Sequence, residues 1–427
     1  MKNFKLYLFF PIFLMVSEFA GAQSRVVIST DFPPLDVCMS GCAANHTSDP
    51  DDVQSMVRFL LYINEFDVEG LIASSGTFAN VANKQNILDI INLYSKVYNN
   101  LKRNDSNYPT PDYLRSITFQ GRSGTWGGTV ANNIGAGKDS QASDSIISII
   151  DKPDPRPVWF CFWGDCSNLA QAIWKVQNTR SEAELQKFLD KIRIYQIAHQ
   201  DNTIDWMMSS FPNLFIIYSQ NTWQGMFGGP TDPLGNLTWL NLHIRQNHGP
   251  LGAAYPPAAM GVDGMKEGDS PSFMYLVSAA KGMNNLEDPT QSSWGGQYVR
   301  SGTTNHWIDG PGTSSIRKWE SQYQADFAKR AEWMLDSVPT RISVLKAESP
   351  KNMVSVYPNP ITDELKITSK IGFDTLKIFS LEGKLVFQKS FPDKTINASL
   401  HLTLNKGTYL LKLNNNASSD SLKILVE

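Results

Sequence analysis

Two hydrophobic periods alternate over the first two-thirds of this chain, and that alternation constrains its fold more than any other feature. Arg25–Thr30 (RVVIST) is a short β-branched run, and Pro50–Asn64 carries a helical stripe of Val53, Met56, Val57, Leu60, Leu61 and Ile63. Asp67–Ser74 reads as a strand, Asn80–Asn99 as a long helix and Pro157–Trp163 as an apolar strand followed by a helix from about Asn168. Lys191–Ala198 and Leu214–Ser219 repeat the strand pattern, and Ser314–Leu335 closes the region as a helix. Strands that alternate with helices cannot pair as hairpins, so the pattern predicts an α/β fold: a mostly parallel sheet with helices on both faces.

The texture changes after Arg341. Residues 342–353 read as a linker and 354–427 as a small all-β sandwich, with short strands at hairpin spacing around Leu381-Glu382-Gly383 and Asn405-Lys406-Gly407. At the other end, Lys2 and Lys5 precede an apolar run from Leu6 to Val16 and an Ala20-Gly21-Ala22 close. That is the form of a signal peptide over residues 1–22 with cleavage near Ala22, which predicts export. The run falls short of the roughly 20 apolar residues of a membrane span, and no transmembrane segment is expected elsewhere. Residues 23–341 then form the α/β domain.

Charge narrows the partners. With 38 Lys and Arg against 41 Asp and Glu, the formal net charge is -3. A nucleic-acid backbone needs a basic face, so a nucleic-acid partner is not expected. Of the four cysteines, Cys38 and Cys42 are close enough to staple one loop, whereas Cys161, in an apolar strand, is either an inert buried thiol or part of a bridge.

The chemistry concentrates where strands end. In open parallel sheets, ligands sit beyond the carboxyl ends of the strands. Asp31 holds that place after the first strand, and Ser48-Asp49-Pro50-Asp51-Asp52 opens the next helix. A cap with dipole-complementing acids accounts for the second group alone. Asp31 facing it calls for a cation, and clustered oxygen ligands suit Ca²⁺ or Mg²⁺.

Several segments together resemble the nucleoside hydrolase superfamily, and most closely its cellulose-binding, nucleoside hydrolase-like branch. They are Val27–Asp31, Asp49–Ser55, Phe59–Ser74, Trp163–Ala170, Gln200–Asp205, Glu267–Ser272, Trp294–Gly296 and Ala325–Trp333. The resemblance implies a Ca²⁺ site made by Asp31, Asp52, the Ser167 carbonyl and Asp269. It also implies that Asp31 is the general base and that Asp51 contacts a sugar hydroxyl. The candidate substrate contacts are Asp49, Asn168, His199, His248 and Trp294, the histidines as proton donors to a departing base. In that superfamily the first Asp stands four residues before the Asp pair. Here Phe32–Thr47 intervenes, and this loop either closes over the site, held by Cys38–Cys42, or displaces Asp31 from the metal. The implied activity is hydrolysis of a ribosyl-like N-glycosidic bond. The alternative is a non-catalytic cell-surface protein that binds cellulose or another polysaccharide.

The tail resembles the C-terminal sorting domain of type IX secretion substrates. The resemblance rests on Val356-Tyr357-Pro358-Asn359-Pro360, Gly407-Thr408-Tyr409 and Lys423-Ile424-Leu425-Val426. It implies the type IX machinery as a partner and a secreted or cell-surface location.

Overall fold

The computed structural model describes residues 23–36, 50–76, 81–124, 128–259, 261–335, 354–380, 384–415 and 418–427. The N-terminal apolar run read as a signal peptide, Cys38, Cys42, Asp49 and the linker lie outside these. The chain divides into two compact units, Met1–Ser337 and Val338–Glu427.

The first unit is built on strands β1 (Ser24–Thr30), β2 (Phe66–Ala73), β3 (Thr118–Gln120), β4 (Val158–Phe162), β5 (Ile192–Ile197) and β6 (Phe215–Ser219). A two-stranded ribbon, β7 (Ala258–Ala259) and β8 (Val262–Asp263), stands apart from the main sheet, which β9 (Tyr298–Arg300) and β10 (His306–Asp309) complete. The sheet order is β3-β2-β1-β4-β5-β6-β10-β9. Every pairing is parallel except that of edge strand β9 with β10. The predicted α/β architecture is therefore what forms.

Both faces of the sheet are covered, and the side chains show why. Val26, Ile28, Trp159, Cys161 and Trp163 join one apolar core, whereas Val27, Val158, Phe160 and Phe162 join the other. Successive strand residues point to opposite faces, so a strand that is apolar at every position needs a helix layer on each side. The first core packs against helices Pro50–Tyr62, Lys84–Asn104, Ser270–Ala280 and Glu320–Glu332. The second packs against Gln141–Ile150, Ser167–Thr179 and Thr203–Ser210. Cys161 is a free, buried thiol, as is Cys166, and burial pushes the Cys161 thiol up to about 12.

The order of the strands decides where a site can form. From β1 the chain moves outward to β2 and β3, then returns to place β4 on the other side of β1. The connections that leave the carboxyl ends of β1 and β4 therefore diverge and open a crevice between them.

Every strand pairing in the second unit is antiparallel. Its strands are β11 (Val354–Tyr357), β12 (Glu364–Ser380), β13 (Leu385–His401), β14 (Gly407–Asn415) and β15 (Ser418–Val426). The order is β11-β12-β14-β15, with β13 also paired to β12. The pairing of the two 17-residue strands β12 and β13 shifts register between Thr368 and Phe373. Such irregularities bend a sheet, and a bridge from Ile361 to Val426 draws the unit toward a barrel. Leu365, Ile367, Phe373, Leu376, Ile378 and Leu411 fill its core. The sequence predicts a sandwich of short strands; long bent strands do the same work because one sheet folded over itself buries one face.

Candidate functional site

Thr30 ends β1 and Asp31 follows it into the crevice, buried to 1% exposure. Helix Pro50–Tyr62 begins beside it, buried along its whole length, with Asp51 and Asp52 in its first turn. Pro50 suits a first-turn position because its missing N–H is not needed there. Asp269 is the N-cap residue of a second helix, Ser270–Ala280, with Pro271 in its first turn. Ser272 Oγ donates to the Asp269 carbonyl at 2.7 Å, and Trp163 Nε1 donates to Ser272 Oγ at 2.9 Å. The end of β4 thus holds the turn that carries Asp269.

These two helix starts bring one carboxylate oxygen each from Asp51, Asp52 and Asp269 within 4.8 Å of one another. Thr30 Oγ1 donates to Asp52 Oδ1. Glycines line the surroundings: a Cβ on Gly164 would stand 2.9 Å from Asp31 Oδ1, and one on Gly268 would stand 2.7 Å from Asp51 Oδ2. Side chains are excluded there by space, which leaves backbone close to the carboxylates.

The electrostatics are one-sided. Burial, and then the charges of Asp31, Asp269 and Asp51, hold the Asp52 carboxyl well above the usual carboxylate range, with only the Thr30 hydroxyl opposing them. Burial, Asp51, Asp31 and Glu267 do the same to Asp269. Glu267 itself is paired with Arg58 in an adjoining buried network and also accepts from Tyr255 Oη and Ser270 Oγ. Asp269 Oδ2 is buried without a hydrogen-bond partner. Crowded carboxylates must either hold protons or share a cation. Two oxygens on opposite sides of one Ca²⁺, each at about 2.4 Å, stand about 4.8 Å apart. The donor set, all oxygen and all acidic, thus fits a hard divalent cation.

The other predicted residues divide into near and far. Ser167 and Asn168 open the helix that follows β4, at the same end of the sheet. Ser167 donates from its N–H and Oγ to Asp165 Oδ1 at 3.0 and 2.6 Å. Asn168 Oδ1 accepts from Ser140 Oγ and the Arg122 N–H, while its Nδ2 is buried without a partner. His199 follows β5, is 41% exposed and lies 2.8 Å from Asp205.

His248 does not come to the carboxylates. Its Nδ1 lies 2.8 Å from the Gln246 carbonyl and its Nε2 3.4 Å from Glu332. The helix bearing Glu332 runs along Pro50–Tyr62 from Arg58, which binds Gln324, to Leu61, whose carbonyl binds Arg330. Glu332 and His248 therefore lie beyond the end of that helix opposite to Asp51. Trp294 is likewise no open stacking face: it is 3% exposed and belongs to the first core.

Sequence reasoning missed Thr30, Gly164 and Gly268. Glycines at strand ends and before Asp269 were the available signal. Asp165 follows Gly164 just beyond β4. In the structure it is buried beside Asp201, and burial first and Asp201 second push its carboxyl up to about 7. It accepts from Ser75 Oγ at 2.7 Å and so ties the ends of β2 and β4 together.

Comparison with known proteins agrees with this fold. The profile of the family described as "Cellulose-binding Sde182, nucleoside hydrolase-like domain" matches residues 42–298. That of the "Secretion system C-terminal sorting domain" matches residues 355–427. A nucleoside hydrolase-related hypothetical protein from Saccharophagus degradans that is associated with carbohydrate metabolism is similar in structure, with a TM-score of 0.61 and 29% identity over 95% of this chain and 100% of that one. The effector protein XOO4466 matches at a TM-score of 0.41 and 8% identity over 73% of this chain and 94% of that one. The type III effector XopQ, complexed with adenosine diphosphate ribose, matches at 0.39 and 8% over 72% and 94%. No curated protein gives a significant match.

Proposed function

We propose, for a chain that belongs to the cellulose-binding Sde182, nucleoside hydrolase-like family, that it is a Ca²⁺-dependent hydrolase of a ribosyl-like N-glycosidic bond. The observation that carries this reading is the approach of buried Asp51, Asp52 and Asp269 within 4.8 Å. The C-terminal sorting domain indicates a secreted or cell-surface protein associated with carbohydrate. We read export as beginning with a signal peptide cleaved near Ala22 and continuing through the type IX machinery, which recognises the tail.

In this proposal Asp31, Asp52, Asp269 and the Ser167 carbonyl hold the ion; the oxygens that approach within 4.8 Å are those of Asp51, Asp52 and Asp269, and Asp31 enters the ligand set through the family resemblance. When bound, Ca²⁺ lowers the pKa of a water and binds a sugar diol. Asp31 takes the proton of the attacking water. Asp51 accepts a hydrogen bond from a sugar hydroxyl, and Asn168 Nδ2 donates one. Positive charge that develops on the sugar ring is stabilised by the surrounding carboxylates, which burial keeps dry.

Calorimetric Ca²⁺ titration of the mature chain tests this, with Asp52→Ala beside it and release of base or reducing sugar followed in the same samples. Binding abolished by the substitution together with Ca²⁺-dependent release supports the proposal; no binding by the unsubstituted protein sinks it. A second reading, non-catalytic polysaccharide binding at the same site, is favoured by the placement of the histidines. His248 stands at the far end of its neighbouring helix and His199 is engaged with Asp205, so neither supplies a ready leaving-group acid. Ca²⁺ binding without turnover selects it.

A further inference from the structure

We infer that a proton shared between Asp232 and Glu320 straps residues 228–236 to the helix Glu320–Glu332, and that losing it in mildly alkaline solution loosens the turn that presents Asp269. The inference deepens the reading of the carboxylate site by giving it a regulator, and it rests on that reading only for the effect on the ion.

Asp232 closes its own turn. The Leu234 N–H donates to its Oδ1 at 3.0 Å and the Asn236 N–H to its carbonyl at 2.9 Å. Its other oxygen, Oδ2, is enclosed by glycines: a Cβ on Gly235 would stand 2.9 Å from it and one on Gly228 3.1 Å. Glu320 opens the helix whose Gln324 Nε2 donates to the Leu234 carbonyl. Asp232 Oδ2 and Glu320 Oε1 are both buried, and neither takes a hydrogen bond from another donor among the described residues. The two carboxyls instead bond to each other. Ionised carboxylates only accept, so that bond exists only while one of the two keeps a proton.

The surrounding charges do not replace this proton. Arg317, at the end of the helix Ser314–Arg317, faces the pair with Nη1 3.9 Å from Asp232 Oδ2. That is too far for a hydrogen bond, and its Nη2 donates elsewhere, to the Phe227 carbonyl at 2.6 Å. Lys266 lies over the Phe227 ring at 4.4 Å and feels the charge of Arg317. Tyr323, one turn along from Glu320, is held neutral by burial and by Glu320. One cation at that distance offsets one negative charge and not two: burial, then Asp232, push the Glu320 carboxyl up to about 7, with Arg317 opposing.

Both ends of the strap grip Met265. Its N–H donates to the Gly235 carbonyl at 2.7 Å, and its carbonyl accepts from the Gly228 N–H at 2.9 Å. The next residue, Lys266, donates its N–H to Gln54 Oε1 at 2.6 Å, on the helix that carries Asp51 and Asp52. The chain then runs through Glu267 and Gly268 to Asp269. When both carboxyls ionise, their repulsion drives residues 228–236 off the helix. Met265 then loses the backbone partners that fix the approach to Asp269.

Hydrogen exchange and Ca²⁺ titration of the full-length protein at about pH 6 and about pH 8 test this, beside Glu320→Gln and Asp232→Asn, each of which supplies an N–H donor and keeps the shape. Protection of the Met265 and Gly228 amides, corrected for intrinsic exchange, should fall at least about tenfold across that range in wild type and no more than about threefold in either variant. Ca²⁺ affinity of wild type relative to Glu320→Gln should fall as well, a ratio that cancels titrations common to both proteins. Unchanged wild-type protection between the two pH values overturns the strap, as does a fall in Glu320→Gln equal to that of wild type. Release of the strap at constant relative Ca²⁺ affinity overturns its link to the site. Wild type that binds no Ca²⁺ refutes the carboxylate-site reading instead, and the protection of Met265 and Gly228 decides the strap without it.

Discussion

Asp52 and Asp269 begin separate helices far apart in the chain, yet each offers a carboxylate oxygen within 4.8 Å of the other's, both buried. The charge of Asp269 raises the affinity of Asp52 for a proton, and such an arrangement costs stability unless a cation is shared.

Replacing one of these carboxylates by its amide relieves the repulsion when Ca²⁺ is absent. Asp52→Asn is expected to stabilise the Ca²⁺-free protein by on the order of 1–2 kcal/mol. Wild type should in turn gain about 2.7 kcal/mol at a Ca²⁺ concentration 100 times Kd, and the variant much less. Denaturant melts with Ca²⁺ or chelator check both signs. A variant less stable than wild type in chelator would refute the repulsion argument.

Arg58 and Glu267 form an ion pair with both side chains at 0% exposure. Gln324 Oε1 also accepts from the guanidinium at 2.7 Å, and the Phe327 ring lies 3.7 Å below it. Arg58→Met leaves Glu267 charged and buried, which typically costs about 3–5 kcal/mol. Because Glu267 is close to Asp269 in the chain, Ca²⁺ affinity should fall as well. Urea denaturation of Arg58→Met beside the double variant Arg58→Met/Glu267→Leu separates the two: the pair of changes should recover much of the stability.

Glu320 gives the fold a pH dependence. Burial, then the neighbouring Asp232, push its carboxyl up to about 7, with Arg317 opposing. A carboxyl raised in the folded state keeps its proton there while the unfolded chain releases it. Its contribution is therefore complete below the ordinary value of 4.5 and is lost as pH climbs through about 7. Glu320→Gln should flatten the stability profile across that window and melt higher than wild type at pH 8. An unchanged slope between pH 5 and pH 8 would show that Glu320 titrates normally.

Gly164 tests the tightness of the crevice. An added Cβ would stand 2.5 Å from the Ser75 carbonyl and 2.9 Å from both Asp31 Oδ1 and Ser74 Oγ. Since backbone cannot yield as a side-chain tip does, Gly164→Ala is expected to cost about 1–3 kcal/mol and to weaken Ca²⁺ binding at least tenfold. Wild-type melting and Ca²⁺ affinity in this variant would mean that the strand ends are looser than drawn.

Much of the fold was legible in the residues. Trp159, Cys161 and Trp163 face one core and Val158, Phe160 and Phe162 the other, so an uninterrupted apolar run already implied a sheet covered on both sides. The tail's β character was equally plain from its turns, but not that β12 and β13 would run to 17 residues. Strand length there depends on irregular pairing that tolerates a bend, and pairing is not visible in either strand alone.

The site was legible in part: local chemistry and position on the strand pattern singled out Asp31, Asp51 and Asp52, and only the family resemblance pointed to Asp269. Local chemistry also offered His248 and Trp294, which the tertiary structure sends to the far end of a helix and into the core. Alternating periods and turn residues thus determined the class of fold and the end of the sheet where chemistry gathers. Only packing decided which carboxylates meet and which glycines leave room. Those are relations between residues distant in sequence, set by how the helices beginning at Pro50 and Ser270 lie against the crevice between β1 and β4, and no short stretch of chain encodes that approach.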